Sequence, residues 1–293
     1  MNNLLTTASN RLAEAGVPSP GVDAELLLGA VLELGRGELQ AAIIRGLIVN
    51  DNQRAIFDAF IERRVAREPL QHILGVAHFR QLSLSVGPGV FVPRPETELL
   101  VELALERLRS LDAESPLVID FGTGSGAIAL SIATEHPKAR VLAVEKSVDA
   151  HRWAEKNFAS IAPQNAILLL GDLFDQNPGS TLATLLEQYR SQLSLVVSNP
   201  PYIPLEAVPR DPEVRLFDPE LALYSGNDGF DAIRRLSQIG LELLVPGGQL
   251  LMEHGEEQAA DIATILRQDG WAEISCKQDL TSRDRFTVST KLG

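Results

Sequence analysis

The stretch Asn199-Pro200-Pro201-Tyr202 joins an amide, two residues without a backbone N–H, and an aromatic ring. Proline fixes φ and cannot donate a hydrogen bond, so such a loop is stiff and its carbonyls are left as acceptors. An amide oxygen and a carbonyl held side by side can take the two hydrogens of a planar NH2 group. A nitrogen of that kind, in an amide or on an aromatic base, has a delocalised lone pair and attacks a sulfonium methyl poorly. The two acceptors would fix it in line with the methyl and stabilise the positive charge that grows on it. Tyr202 can stack on the planar group. No strong base is needed, because the nitrogen proton becomes acidic only after the transfer. In isolation, a proline-rich turn after a strand is ordinary, and its surroundings in the chain are what give it weight.

Upstream, Val118-Ile119-Asp120-Phe121 reads as a strand that enters Gly122-Thr123-Gly124-Ser125-Gly126 and then a helix. Glycines let the backbone turn tightly and let a ligand approach it without meeting a side chain. Their G-x-G-x-G spacing departs from the G-x-G-x-x-G that sets a pyrophosphate on a helix N-terminus, and it suits a ligand with no phosphate. The next strand ends at Glu145, where an acid in a doubly wound sheet can accept both ribose hydroxyls of an adenosine. A third strand ends in Gly171-Asp172-Leu173-Phe174. There Asp172 can accept from an adenine amino group with Leu173 or Phe174 against the ring, or it can simply cap the following turn.

These residues need a sheet whose strand ends converge. Apolar runs at 117–121, 140–145, 166–170, 193–198 and 249–253 read as strands, with helical patterns between most of them. Such alternation predicts a parallel sheet covered by helices on both faces. Residues 96–108 read as a helix leading into it. Before it, 78–86 alternates like a half-exposed strand, Gly87-Pro88-Gly89 supplies a turn, and Val90-Phe91-Val92 returns as a second strand. Residues 4–14, 23–34 and 53–67 show helical spacing, with Pro18, Pro20 and Gly21 separating the first two. The expected organisation is a helical domain over 1–75, a β-hairpin linker over 76–94 and the α/β domain over 95–293.

The formal net charge is −13, and residues 1–75 already carry nine acids against seven arginines and no lysine. Phosphate-backbone binding relies on clustered cations, so a nucleic-acid partner is disfavoured. The single cysteine, Cys276, can form no internal disulfide, and a buried apolar role is expected of it. His72, His78, His136, His151 and His254 show no metal-ligand spacing, so no metal is expected. No apolar run reaches membrane-spanning length and the N-terminus lacks a signal-peptide pattern. A soluble, cytoplasmic, monomeric protein is expected, with no membrane partner.

At these residues the sequence resembles the class I methyltransferases, and specifically the release-factor glutamine methyltransferases. The resemblance also rests on Phe91-Val92-Pro93-Arg94-Pro95-Glu96-Thr97-Glu98 and on Glu253-His254-Gly255 after Pro246-Gly247-Gly248. It implies a Rossmann-like α/β fold, a seven-stranded, mostly parallel sheet whose last strand, near 285–288, is antiparallel, behind a small helical substrate-recognition domain. It further implies methyl transfer from S-adenosylmethionine to the side-chain amide nitrogen of the glutamine in the Gly-Gly-Gln tripeptide of class 1 peptide release factors. Gly122, Thr123, Gly124, Ser125, Gly126, Glu145, Asp172, Leu173 and Asn199 would hold the cofactor. Asn199 to Tyr202 would hold the glutamine, with Asn199 and Pro200 as the catalytic pair. Position 145 is Glu where many members carry Asp. Arg94 would pair with Glu96 or Glu98, or else contact the substrate peptide, and His254 would be a buried, hydrogen-bonded residue. The same motifs would serve a ribosomal-protein glutamine methyltransferase or an adenine or guanine amino-methyltransferase.

Overall fold

The computed structural model describes residues 2–293; Met1, the first residue of the expected helical domain, lies outside them. In chain order the elements begin with α1 (Asn2–Glu14), α2 (Pro20–Leu32), α3 (Arg36–Ile44), α4 (Asp51–Val65), α5 (Leu70–Leu74), β1 (Val76–Phe79) and β2 (Leu82–Ser85). There follow α6 (Thr97–Arg109), β3 (Leu117–Phe121), α7 (Ala127–Glu135), β4 (Arg140–Glu145), α8 (Val148–Ile161), β5 (Ala166–Leu170), α9 (Thr181–Tyr189) and β6 (Leu193–Ser198). The remainder holds α10 (Pro212–Phe217), α11 (Glu220–Leu223), α12 (Asp231–Leu243), β7 (Leu244–Glu253), α13 (Ala259–Asp269), β8 (Trp271–Gln278) and β9 (Asp284–Lys291). None of the described helices is long and apolar enough to cross a membrane.

Contacts divide the chain into two units. One comprises the residues up to Val76 together with Pro209–Phe217, the other Ala77–Val208 together with Asp218–Gly293. In the first, Leu12, Leu27, Leu28, Leu39, Phe57 and Ile61 form the centre of a helical core. Pro20, which the sequence suggests as a separator, starts α2 instead, because its missing N–H belongs to the first turn, where no intrahelical partner exists. Asn50 caps α4: its side-chain oxygen accepts from Gln53 N at 2.9 Å while Gln53 Oε1 accepts from Asn50 N at 3.1 Å. The buried Arg64 donates to Asp23 at 2.7 Å and to Glu213 at 2.8 Å, so α10 is tied into this unit by charge.

The second unit is built on a seven-stranded sheet in the order β5-β4-β3-β6-β7-β9-β8. The pairs from β5 to β7 are parallel and β9 is antiparallel to both neighbours. Alternate residues of each strand face opposite sides. Val118, Val141, Ala143, Leu195, Val197 and Leu251 pack in a core with residues of α6 and α7. Ile119, Leu142, Val144, Val196, Leu250 and Met252 pack in a second core with residues of α9, α12 and α13. Both faces are therefore dry, which is why the central strands read as unbroken apolar runs.

Two expectations are corrected. The hairpin closes early, at Arg80-Gln81, with Arg80 at φ 50°, and pairs β1 with β2. Arg80 is held there by Glu98, Glu102 and Glu135. Val90 and Val92 are buried beside Ala77 and Ala150 but form no strand. Pro93 and Pro95 follow directly and can give a ladder no N–H. Cys276 is exposed rather than buried, because β8 is the last strand of the sheet and borders it on one side only.

Candidate functional site

The strand order reverses at β3: the chain runs outward through β4 and β5, then returns to the other side of β3 with β6. Open α/β sheets bind ligands outside the carboxyl ends of the strands at such a switch point. The glycine loop leaves β3 there and the Asn199 tetrapeptide leaves β6 beside it. Ser198 Oγ donates to the Phe121 carbonyl at 2.7 Å, tying the roots of the two loops.

Gly122, Gly124 and Gly126 all have φ in the left-handed region, at 71°, 59° and 89°. They differ in what surrounds them. A Cβ on Gly126 would lie 2.9 Å from Leu130 Cδ1 and 3.0 Å from Phe158 Cε2, whereas one on Gly122 or Gly124 would meet nothing within 4 Å among the described residues beyond its chain neighbours. Gly126 thus serves packing, and the first two leave a bare backbone cradle open to a ligand. Beneath it are two buried polar atoms with no hydrogen-bond partner among the described residues, Asp120 Oδ1 and Ser125 Oγ.

The acids at the neighbouring strand ends converge on this loop. Glu145 is buried; its Oε2 accepts from Gly124 N at 2.8 Å and its Oε1 from Ser147 N at 2.7 Å. The longer glutamate arm reaches the loop itself, and each oxygen keeps one lone pair for a ligand hydroxyl. Asp172 sits one strand further, its Oδ1 capping Phe174 N at 2.9 Å and its Oδ2 3.0 Å from Lys146 Nζ. Leu173 is half-buried against the α9–α12 core, and its carbonyl accepts from Arg235 Nε at 3.0 Å.

The tetrapeptide is held from below. Tyr202 O accepts from Gln258 Nε2 at 3.0 Å, Ile203 N donates to Leu223 O at 2.8 Å and Ser225 N donates to Ile203 O at 2.9 Å. Gly229, at φ 83°, passes so close that a Cβ there would collide with Tyr202 O. No group among the described residues donates to the Pro200 carbonyl. Burial pushes the Tyr202 phenol up to about 12, with Glu253 adding to the shift, so the ring stays neutral.

Three functional candidates escaped the sequence reading. Ser198 pairs with Met252, which sets Glu253 at the end of β7 next to Asn199. Asn199 Nδ2 donates to Thr97 Oγ1 at 3.4 Å, and Thr97 Oγ1 donates to Glu253 Oε2 at 2.7 Å. Glu253 is pushed up to about 7 by burial, against hydrogen bonds from Thr97 and Asn199 and with repulsion from Glu96. The third is Asp120, fully buried; its Oδ2 accepts from Thr123 Oγ1 at 2.6 Å and Ala129 N at 3.2 Å. Burial raises it to about 7 as well. Its signal was present in sequence as a carboxylate inside an otherwise apolar strand.

Arg94 meets neither expected partner; it pairs with Asp218 at 2.7 Å and lies over the Phe91 ring at 4.8 Å. Glu98 is taken by Arg80 N. His254 is buried, with Nδ1 donating to Gly255 O at 2.8 Å and Nε2 accepting from Thr287 Oγ1 at 2.9 Å. Burial lowers its pKa, so the ring is a neutral structural link.

Residues 3–75 match the family model described as PrmC N-terminal domain, and residues 84–212 the one described as Methyltransferase small domain. The release factor glutamine methyltransferase of Streptomyces coelicolor is 46% identical over 99% of this chain and 99% of its own length. The protein of that name from Deinococcus radiodurans is 43% identical over 100% of this chain and 99% of its own. A third, from Corynebacterium glutamicum, is 41% identical over 100% and 99%.

Proposed function

Since the chain belongs to the release factor glutamine methyltransferase family, we propose that it methylates the side-chain amide nitrogen of the Gly-Gly-Gln glutamine in class 1 peptide release factors, using S-adenosylmethionine. The observation that carries the reading is the rigid tetrapeptide at the switch point, with a Pro200 carbonyl that no described residue uses, next to a glycine cradle built for a ligand without phosphate. The bare backbone at Gly122 and Gly124, the unpartnered Asp120 Oδ1 and Ser125 Oγ, and the spare lone pairs of Glu145 suit a zwitterionic nucleoside. Gly122 to Gly126, Glu145, Asp172 and Leu173 hold it, with Asn199 at the boundary between cofactor and acceptor.

The bound cofactor supplies an electrophilic methyl on a sulfonium. The chain's own part is to prepare the nitrogen. Asn199 Oδ1 and the Pro200 carbonyl accept the two amide hydrogens, turn the nitrogen lone pair toward the methyl and stabilise the charge that develops as the C–N bond forms and the C–S bond breaks. Tyr202, neutral and pinned through its own carbonyl, stacks on the amide plane. One proton then leaves the nitrogen to solvent, and N5-methylglutamine remains. The helical unit recognises the release factor.

Incubation with radiolabelled S-adenosylmethionine and, separately, release factor, ribosomal proteins or plasmid DNA tests this. Label is expected on the release-factor glutamine, located by mass spectrometry of its tryptic peptide. Label found only on ribosomal protein or only on DNA would refute it.

A further inference from the structure

If Asn199 Oδ1 is an acceptor for the substrate, the side-chain amide must face one way, because the rotated amide would set an NH2 against an NH2. We propose that Thr97 and Glu253 are positioning residues that lock the Asn199 amide with its oxygen outward, and this rests on the proposed function above. Thr97 has one hydroxyl hydrogen, and it goes to Glu253 Oε2 at 2.7 Å. With Glu253 ionised, only lone pairs remain on Oγ1, so the Asn199 atom beside it has to be a donor, which is the NH2. A rotated amide would direct its oxygen at the Thr97 lone pairs.

Water cannot repair that mismatch, since Thr97 is 4% and Glu253 2% exposed. The three residues come from the first turn of α6 and from the ends of the adjacent strands β6 and β7. A carboxylate buried this deeply is costly. Here the cost fixes one rotatable bond at the point where two acceptors have to converge. It also gives the Pro-Arg-Pro-Glu-Thr-Glu and Glu-His-Gly stretches, which carry no acceptor chemistry themselves, a shared role at Asn199.

The competing explanation is that Thr97 and Glu253 merely bind α6 to the sheet, and the variants separate the two. Thr97→Val keeps the shape and removes the hydroxyl; its kcat on release factor is expected to fall about 10-fold to 100-fold, with KM for release factor and cofactor affinity by calorimetry nearly unchanged. Thr97→Ser restores the hydroxyl and is expected to recover most of that loss. Glu253→Gln keeps the volume but turns a double acceptor into a mixed group, and should lower kcat in the same selective way. A Thr97→Val enzyme with the wild-type kcat would overturn the inference, as would a Thr97→Ser enzyme as slow as Thr97→Val. So would losses that fall on cofactor affinity and thermal stability instead of kcat. Failure of the wild-type protein to methylate release factor would be seen first, in the control, and would remove the functional reading and this inference together.

Discussion

Asn199 and Glu145 lie at the ends of β6 and β4, and the structure separates what each can lose. Asn199→Ala removes the acceptor proposed for the nitrogen and leaves the glycine loop untouched. Its kcat should drop by about 100-fold or more, in the range found when one preorganised hydrogen-bonding group is deleted, while calorimetry finds cofactor affinity close to wild type. Glu145→Ala does the reverse. Its carboxylate takes Gly124 N and Ser147 N as well as any ligand hydroxyl, so the loop loses its brace. Cofactor affinity should fall by about 10-fold or more, and an unchanged dissociation constant would remove Glu145 from the site. The tetrapeptide stands out in the sequence because the chemistry proposed for it is contiguous: four neighbouring residues would carry it whatever the rest of the chain does. Thr97 and Glu253 do not, since they stand far apart in the chain and only strand order and register bring them to Asn199. One of the two roles expected of Arg94, pairing with Glu96 or Glu98, failed for a related reason. Its partner, Asp218, lies beyond the tetrapeptide, and only proximity in sequence had suggested Glu96 and Glu98.

Among the elements, the parallel strands were legible and the antiparallel edge strand was not. A strand buried on both faces has to be apolar throughout, so β3, β4 and β6 announced themselves, and the edge strand β5 is an apolar run as well although Ile167 and Leu170 are exposed. At the margin, β8 has a neighbour on one side only and exposed residues along its length, and its pattern fell below notice. The early turn of the hairpin depends on Arg80, whose positive φ is held by three glutamates from α6 and α7. Nothing local in Arg80-Gln81 signals a turn, whereas Gly87-Pro88-Gly89 does. The glycine loop offers a sharper test of element-level reasoning, since its glycines are left-handed for different purposes. Gly126→Ala would push a methyl group against Leu130 and Phe158 at the start of α7 and should destabilise the protein by about 2 kcal/mol, seen as a lower melting temperature. Gly122→Ala meets open space and pays only for its φ, about 1 kcal/mol. It should melt nearer wild type yet bind cofactor worse. If the two variants ranked the other way in stability, the packing role given to Gly126 would be wrong.

For the molecule as a whole, charge is the dominant balance. The chain carries a net −13, and two of its acids, Asp120 and Glu253, are buried at the candidate site with pKa values raised to about 7 by that burial. A carboxyl raised in the folded state binds a proton that the unfolded chain releases, so stability falls as pH rises from the unfolded value toward the folded one and then levels. For Glu253 the window runs from 4.5 to about 7. His254 works against this trend: its lowered pKa makes the folded state bind fewer protons, and it favours folding as pH rises toward 6.5. Raw melting curves would mix these opposing effects. The difference between wild type and Glu253→Gln isolates one of them, because glutamine cannot titrate. The stability of Glu253→Gln relative to wild type, followed by thermal melting, should climb between pH 5 and pH 7 and stay level above it, with a total change of a few kcal/mol at most, at about 1.4 kcal/mol per pKa unit. A difference independent of pH would mean that Glu253 is ionised at its ordinary value. The double acceptor beneath Asn199 would then cost the fold nothing as the pH rises, and burial would not be what sets its charge.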